Sequence, residues 1–129
     1  MAEILTQRAI REGLRSKAGW QNRALELLFS WQTEAEREME HTGELNGRGF
    51  SRTDSEILTS FAKQMAEGRP LSPRQREVAA KELPKYSRQI WRHYLAGLST
   101  IDRWAAEDAD RTERLAANRV TRAYLRVAA

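Results

Sequence analysis

Cysteine is absent from this 129-residue chain, which excludes disulfide bonds and thiolate metal sites. No apolar run approaches the roughly 18 residues that a membrane-spanning helix needs. The opening residues lack the charged, apolar and cleavage regions of a signal peptide, so we expect a cytoplasmic protein with no membrane partner. The two histidines lie far apart in the sequence, and no metal-ligand spacing or nucleophile–base pair is visible. We therefore expect no metal, no cofactor and no enzyme activity.

Proline and glycine are scarce, with three and seven residues, and no alternating apolar run of strand length occurs. Alanine, leucine, glutamate, arginine and glutamine dominate instead, and all of them favour helices. This composition predicts an all-α fold, a single compact bundle of about five or six helices. The length suits one domain over residues 1–129.

Apolar spacing and capping residues place the helix boundaries. The predicted helices cover residues 3–15, 19–40, 53–67, 73–82, 85–96 and 100–127. A loop is predicted at 41–52, a kink is one alternative at Pro84, and a break near 108–110 is another. Ser51 or Thr53 would cap the third helix, Gly68 would end it, and Ser72 with Pro73 would open the fourth.

The apolar positions that these helices would bury fall into three sets. In the second helix they are Ala24, Leu27, Leu28, Trp31, Ala35 and Met39, and in the third they are Ile57, Leu58, Phe61, Ala62 and Met65. In the last helix they are Ile101, Trp104, Ala105, Leu115, Val120 and Tyr124. Four tryptophans favour core anchors, although an exposed one would indicate a partner interface.

Charge is distributed unevenly along the chain. The net charge of +4 arises from −2 in residues 1–45, +5 in 46–97 and +1 in 98–129. If residues 74–94 followed one helical path, Arg74, Lys81, Lys85, Arg88 and Arg92 would line one face opposite an apolar face. The predicted nucleic-acid-binding residues are this line together with Arg76, namely Arg74, Arg76, Lys81, Lys85, Arg88 and Arg92. Such a row suits a phosphate backbone, and the equally open alternative is an ordinary solvated helix face.

The central segment also has the outline of a helix–turn–helix, because a Gly-containing turn separates the helices at 53–67 and 73–82. The loop before it carries a motif of breaker residues that we predict to contact a partner: Asn46, Gly47, Arg48, Gly49 and Phe50. Its glycines permit unusual backbone angles or close approach, and Phe50 can anchor it on the core. The position of Asp54 in the first turn of the third helix favours a structural role for its carboxylate over a catalytic one.

Several of these residues together resemble a known module. The pattern comprises Asn46-Gly47-Arg48-Gly49-Phe50, Asp54, Phe61-Ala62, Leu71-Ser72-Pro73-Arg74-Gln75, Lys85-Tyr86 and Gln89. It is similar to a short helical module that accompanies helicase-type ATPases in phage and bacterial DNA-processing proteins. The resemblance implies a phage or mobile-element setting and a role around DNA. It implies no ATPase activity, since the chain has no G-x-x-x-x-G-K-[ST] loop, and it carries over no catalytic residue.

The sequence leaves two main functions open, besides a fragment or regulatory subunit of an enzyme that needs its parent chain. One is an accessory protein that binds nucleic acid, with DNA favoured, through the basic helical face. The other is an inhibitor or adaptor that contacts a protein of a nucleic-acid machine through the 46–52 loop and the adjoining helices. Homo-oligomerisation is compatible with either function.

Overall fold

The computed structural model describes residues 4–42 and 49–128, except for the side chains of 35–42 and 128. The all-α prediction is confirmed, since these residues contain no strand. The α-helices are α1 Gln7–Ser16, α2 Ala18–Thr42, α3 Ser55–Ala66, α4 Pro73–Glu82, α5 Ser87–Ala96 and α6 Thr100–Ala128, with a 3-10 turn at Leu83–Tyr86. No helix among the described residues is both long and apolar enough to cross a membrane.

The chain divides into two compact units. The central unit comprises residues 11–86, and the terminal unit joins residues 1–10 to residues 87–129. Helix α1 therefore contributes its first residues, through Ile10, to the terminal unit and the remainder to the central unit. That residues 1–129 form a single helical domain stays a prediction.

The core of the central unit forms where α2 packs against α3, α4 and the 3-10 turn. The predicted stripe of α2 is confirmed at Ala24, Leu28 and Trp31, which are buried, and Leu27 is half-buried. Leu25, which follows Ala24 and lies outside that stripe, is also fully buried. The predicted positions Ala35 and Met39 lie outside the described side chains.

Local capping chemistry fixes the ends of α3 and α4. Ser72 accepts a hydrogen bond from the backbone N–H of Gln75, whose side chain bonds back to Ser72, and Pro73 is the first helical residue. Gly68 ends the preceding segment in the left-handed conformation at φ +83°. The predictions at Gly68, Ser72 and Pro73 are therefore confirmed.

Other boundary predictions were wrong. The cap of α3 is Asp54 rather than Ser51 or Thr53, and its side chain makes no capping bond. The loop predicted at 41–52 begins later, because α2 continues through Thr42. Helix α1 begins at Gln7 rather than near Glu3, and Ile57 on α3 is exposed.

The terminal unit holds the N-terminal segment against α5 and α6 through polar contacts. The indole Nε1 of Trp91 donates to the Leu5 carbonyl at 2.9 Å, and the Leu5 N–H donates to the Tyr94 hydroxyl at 2.9 Å. On α6, the carboxylate of Asp110 accepts from the backbone N–H of Gln7 at 2.9 Å and from its side-chain amide at 3.1 Å. Asp110 therefore supplies an acceptor at the start of α1 from a different helix.

Helix α6 differs from its prediction in two ways. It runs unbroken through residues 108–110, because the carboxylate of Asp110 is buried and hydrogen-bonded rather than turned back on its own backbone. The six apolar residues predicted to pack are all exposed: Ile101, Trp104, Ala105, Leu115, Val120 and Tyr124. Of the helix, Ala106 and Asp110 are the buried residues within the described part.

Candidate nucleic-acid interface

The predicted path from residue 74 to residue 94 is not one α-helix. Helix α4 ends at Glu82, a 3-10 turn contains Pro84, and α5 starts at Ser87. The 3-10 turn has three residues per turn instead of 3.6, so the spacing that aligned five of the cations does not carry through it. The first four cations lie in the central unit and the last two in the terminal unit.

Two of the six cations make bonds inside the central unit. Arg76 directs its Nη1 to the side-chain oxygens of Asn22 at 2.8 Å and Gln21 at 3.1 Å on α2. Lys85 forms ion pairs with Asp54 and Glu82. These bonds connect α4 and the 3-10 turn to neighbouring segments of the central unit. They also occupy two of the cations that were predicted from the sequence to contact phosphates.

The remaining four cations are exposed: Arg74 and Lys81 on α4, and Arg88 and Arg92 on α5. Glu77, also exposed, lies between Arg74 and Lys81 at helical spacings of three and four, so it offsets their charge. Arg88 and Arg92 are one turn apart on α5 with no acidic residue in that helix. The α5 pair is therefore the part of the predicted face that keeps a local excess of positive charge.

Asp54, Lys85 and Tyr86 form a polar cluster with Ser51, in which Asp54 and Tyr86 are buried while Lys85 and Ser51 are exposed. The Tyr86 hydroxyl donates to Asp54 at 2.6 Å, the Ser51 hydroxyl donates at 3.2 Å, and the Lys85 ammonium lies 2.7 Å away. Burial by itself raises the pKa of the Asp54 carboxyl, but the bonds from Lys85, Tyr86 and Ser51 together hold it below its ordinary value.

The electrostatics of this cluster favour structure over catalysis. Bonds to Asp54 and Glu82 raise the pKa of Lys85, and burial followed by the bond to Asp54 raises the pKa of Tyr86. A lysine or tyrosine acting as a base near neutral pH needs a lowered pKa, which is the opposite direction. The predicted structural role of Asp54 agrees with this arrangement, although its partners are side chains rather than backbone N–H groups.

The predicted partner loop lies partly outside the described residues, because Asn46, Gly47 and Arg48 fall there. Phe50 is buried and packs edge-on against Tyr86, with ring centroids 6.0 Å apart. Gly49 has φ +94°, and a Cβ added there would lie 2.9 Å from the backbone nitrogen of Gln32. Both the angle and the close approach require glycine, as the sequence suggested for this motif.

A matched pair of glycine substitutions separates these two requirements. We expect Gly68→Ala to lower the free energy of unfolding by about 1 kcal/mol, since it has a positive φ but open space around its Cβ. Gly49→Ala adds a backbone clash and should cost about 2 kcal/mol. Urea unfolding followed by circular dichroism measures both, and equal losses would show that the close approach to Gln32 is unimportant.

Several described residues of the module pattern have structural partners in the central unit. Phe50, Asp54 and Tyr86 belong to one cluster, Phe61 and Ala62 are buried in α3, and Ser72 with Gln75 caps α4. Gln75 also exchanges hydrogen bonds with Gln64 on α3. These residues of the pattern therefore contribute to packing and helix capping in the central unit.

Helix α6 carries a second row of cations, which was not predicted from the sequence. Arg119, Arg122 and Arg126 are exposed and follow each other at spacings of three and four, which places them on one side of the helix. Residues 114–129 contain four arginines and no acidic residue, and the absence of a carboxylate after Glu113 is the signal that would have revealed this row. The segment 98–129 as a whole has a net charge of only +1, because five acidic residues precede Arg114.

The positive excess lies mainly in the terminal unit rather than in the middle of the sequence. The terminal unit carries nine basic and six acidic residues, whereas the central unit carries thirteen and twelve. The charge predicted for the middle of the sequence is therefore balanced within the central unit by the acidic residues of α2 and its neighbours. No family model, no curated protein and no solved structure matches the chain.

Proposed function

We propose that the protein binds nucleic acid through the terminal unit, using Arg88 and Arg92 on α5 and the arginine row Arg119, Arg122 and Arg126 on α6. Each guanidinium that contacts a phosphate releases condensed counterions, and exposed arginines can do this without first breaking an internal bond. Resemblance to a helicase-associated module adds a DNA-processing setting to the proposal.

The observation that carries the proposal is the exposed second half of α6, which has four arginines and no carboxylate; Arg114 pairs with Asp110 in the first half, and the other three form the arginine row. Cations in the last turns of a helix are also favoured by its dipole, which helps this half remain helical. A polyanion is the partner class that such a surface attracts most strongly, since no neighbouring acidic side chain on the same half neutralises it.

Fluorescence anisotropy of labelled single- and double-stranded DNA at two salt concentrations tests the proposal. Wild type should bind with an affinity that falls steeply with salt. Reversing Arg119 and Arg122 to Glu should weaken binding at least about tenfold and reduce the salt slope by about 0.9 for each phosphate that the protein no longer neutralises.

The matched control reverses Arg11 and Arg15, two exposed arginines one turn apart on α1. It changes the net charge equally, so a similar loss in this control would mean that only overall charge matters. Reversal of Arg74 and Lys81 tests the face predicted from the sequence in the same assay. Wild type that fails to bind either DNA at low salt would overturn nucleic-acid binding.

A second candidate is a protein-interaction module, and one observation favours it. Trp104 and Ile101 at the start of α6 are 65% and 75% exposed, and tryptophan is enriched where proteins meet. An exposed patch of two large apolar residues is typical of a contact surface rather than of a solvated helix. Under this function, Trp104→Ala abolishes capture of a protein target while the chain alone shows no DNA binding.

A further inference from the structure

Helix α6 carries one stripe at alternating spacings of four and three residues over most of its length. Its members are Ala106, Asp110, Glu113, Ala117, Val120, Tyr124 and Val127. Such spacing keeps residues on one side of a helix and is the repeat that helix pairs use for contact. The stripe therefore marks the packing side of α6.

The first part of this stripe is already an interface within the terminal unit. Ala106 is buried, Asp110 bonds to Gln7, and Glu113 accepts a hydrogen bond from the Thr6 hydroxyl at 2.9 Å. From Ala117 onwards the stripe turns apolar and is no longer covered. Val120, Tyr124 and Val127 are 70%, 71% and 88% exposed.

An uncovered half-helix of this length needs a partner. In water, isolated helices shorter than about 12–15 residues are marginal, and most helical stability in proteins comes from packing an apolar face. The second half of α6 has that face, and nothing among the described residues covers it. Its continuity with the packed part indicates that another helix belongs there.

We infer that a second copy of this chain covers the stripe, so that two α6 helices pair through Ala117, Val120, Tyr124 and Val127. Charge placement supports a second copy as the occupant. Ala116, Thr121 and Ala123 border the stripe and are small and uncharged, so two copies can approach closely. The centre of the arginine row lies roughly 150° around the helix from the centre of the stripe. The row therefore faces away from the seam, which is the contact between the two α6 helices.

Other occupants fit this stripe less well. An acidic partner helix on the stripe would contact uncharged alanine and threonine side chains. It could not pair with the arginines, because they lie on the far side of α6. A bilayer surface favours bulky Trp, Phe and Leu on the buried face, whereas valine and alanine predominate here. Small side chains suit close helix–helix contact instead.

An antiparallel arrangement matches the stripe to itself. Val120 then lies against Tyr124 of the second copy, and Ala117 lies against Val127 of the second copy. The seam is roughly 15 Å long by helix rise, so we expect a dimer that forms and dissociates with concentration. The arginine row of each copy stays exposed in this dimer, so the dimer offers a polyanion two binding surfaces.

Sedimentation equilibrium of the full chain, without nucleic acid, tests the inference over about a hundredfold range of protein concentration. Wild type should show a monomer–dimer equilibrium, and Tyr124→Glu should raise the dimer dissociation constant at least about tenfold. The matched control is Leu125→Glu, which adds the same charge at an exposed apolar residue off the stripe. It should leave the dissociation constant within about twofold.

Because the natural chain has no cysteine, disulfide trapping gives an independent measurement. A mixture of Val120→Cys and Tyr124→Cys proteins should cross-link on oxidation, whereas Asn118→Cys, which is exposed off the stripe, should not. A monomer at every concentration, or equal effects of the changes at 124 and 125, would overturn the inference. The assay contains no nucleic acid, so its failure is distinguishable from failure of DNA binding.

Discussion

Replacing Asp110 by Ala is expected to lower the free energy of unfolding by about 3 kcal/mol, one of the two largest effects we predict. This carboxylate is 1% exposed and accepts from the backbone and side chain of Gln7 and from Nε of Arg114. Alanine would leave the Gln7 N–H without its acceptor at the start of α1. Urea unfolding followed by circular dichroism measures the loss.

Asp110→Asn should cost nearly as much, because both carboxylate oxygens are in use. One oxygen accepts from the Gln7 N–H and the other from the Gln7 amide and Arg114, so an Asn amide group must face a donor. The matched control is Asp108→Asn on the same helix, whose side chain is exposed. It should change stability by less than about 0.5 kcal/mol, and a comparable loss there would contradict the role of Asp110.

Replacing Asp54 by Ala is expected to cost about 2–3 kcal/mol, because it removes the acceptor of the Tyr86 and Ser51 hydroxyls inside the central unit. Asp54→Asn should cost less, since a single oxygen, Oδ2, accepts both of these bonds and faces Lys85, and an amide oxygen can take its place. Urea unfolding compares both variants, with Glu56→Gln as the exposed control on the same helix.

The same pair of variants predicts a dependence on pH. The folded pKa of Asp54 lies below its ordinary value of 3.8, so its ionised form stabilises the fold above that pH. This contribution is lost as the pH falls through the folded pKa. The gap in stability between wild type and Asp54→Asn should therefore be widest near neutral pH and narrow below about pH 4. A constant gap down to pH 2 would show that the charge of Asp54 adds nothing.

The two carboxylates are distinguished if asparagine loses much less stability than alanine at position 54 but nearly as much as alanine at position 110. One carboxylate serves its partners through a single oxygen and the other through both, which is a difference of geometry that composition does not reveal. Both residues also lie in short acidic contexts of the sequence, Thr53-Asp54-Ser55-Glu56 and Glu107-Asp108-Ala109-Asp110. Position in the fold alone separates the buried members from their exposed neighbours Glu56 and Asp108.

The sequence by itself determined the features that depend on residues within about four positions of each other. The all-α fold, the Ser72–Pro73 start of α4, the left-handed end at Gly68 and the buried stripe of α2 are of this kind. Helix caps and apolar spacing act through neighbouring turns, so their chemistry is complete in a short stretch of chain.

Only the tertiary structure decided which charged groups are occupied and which apolar groups are covered. Arg76 bonds to residues more than fifty positions earlier, and Asp110 bonds to Gln7 across 103 positions. No local pattern encodes such bonds, and they decide that Arg76 and Lys85 hold the central unit together while the arginine row of α6 stays free of carboxylates. The same reason explains α6, whose apolar spacing predicts a packing face, whereas the fold covers its first half and leaves Val120, Tyr124 and Val127 in solvent.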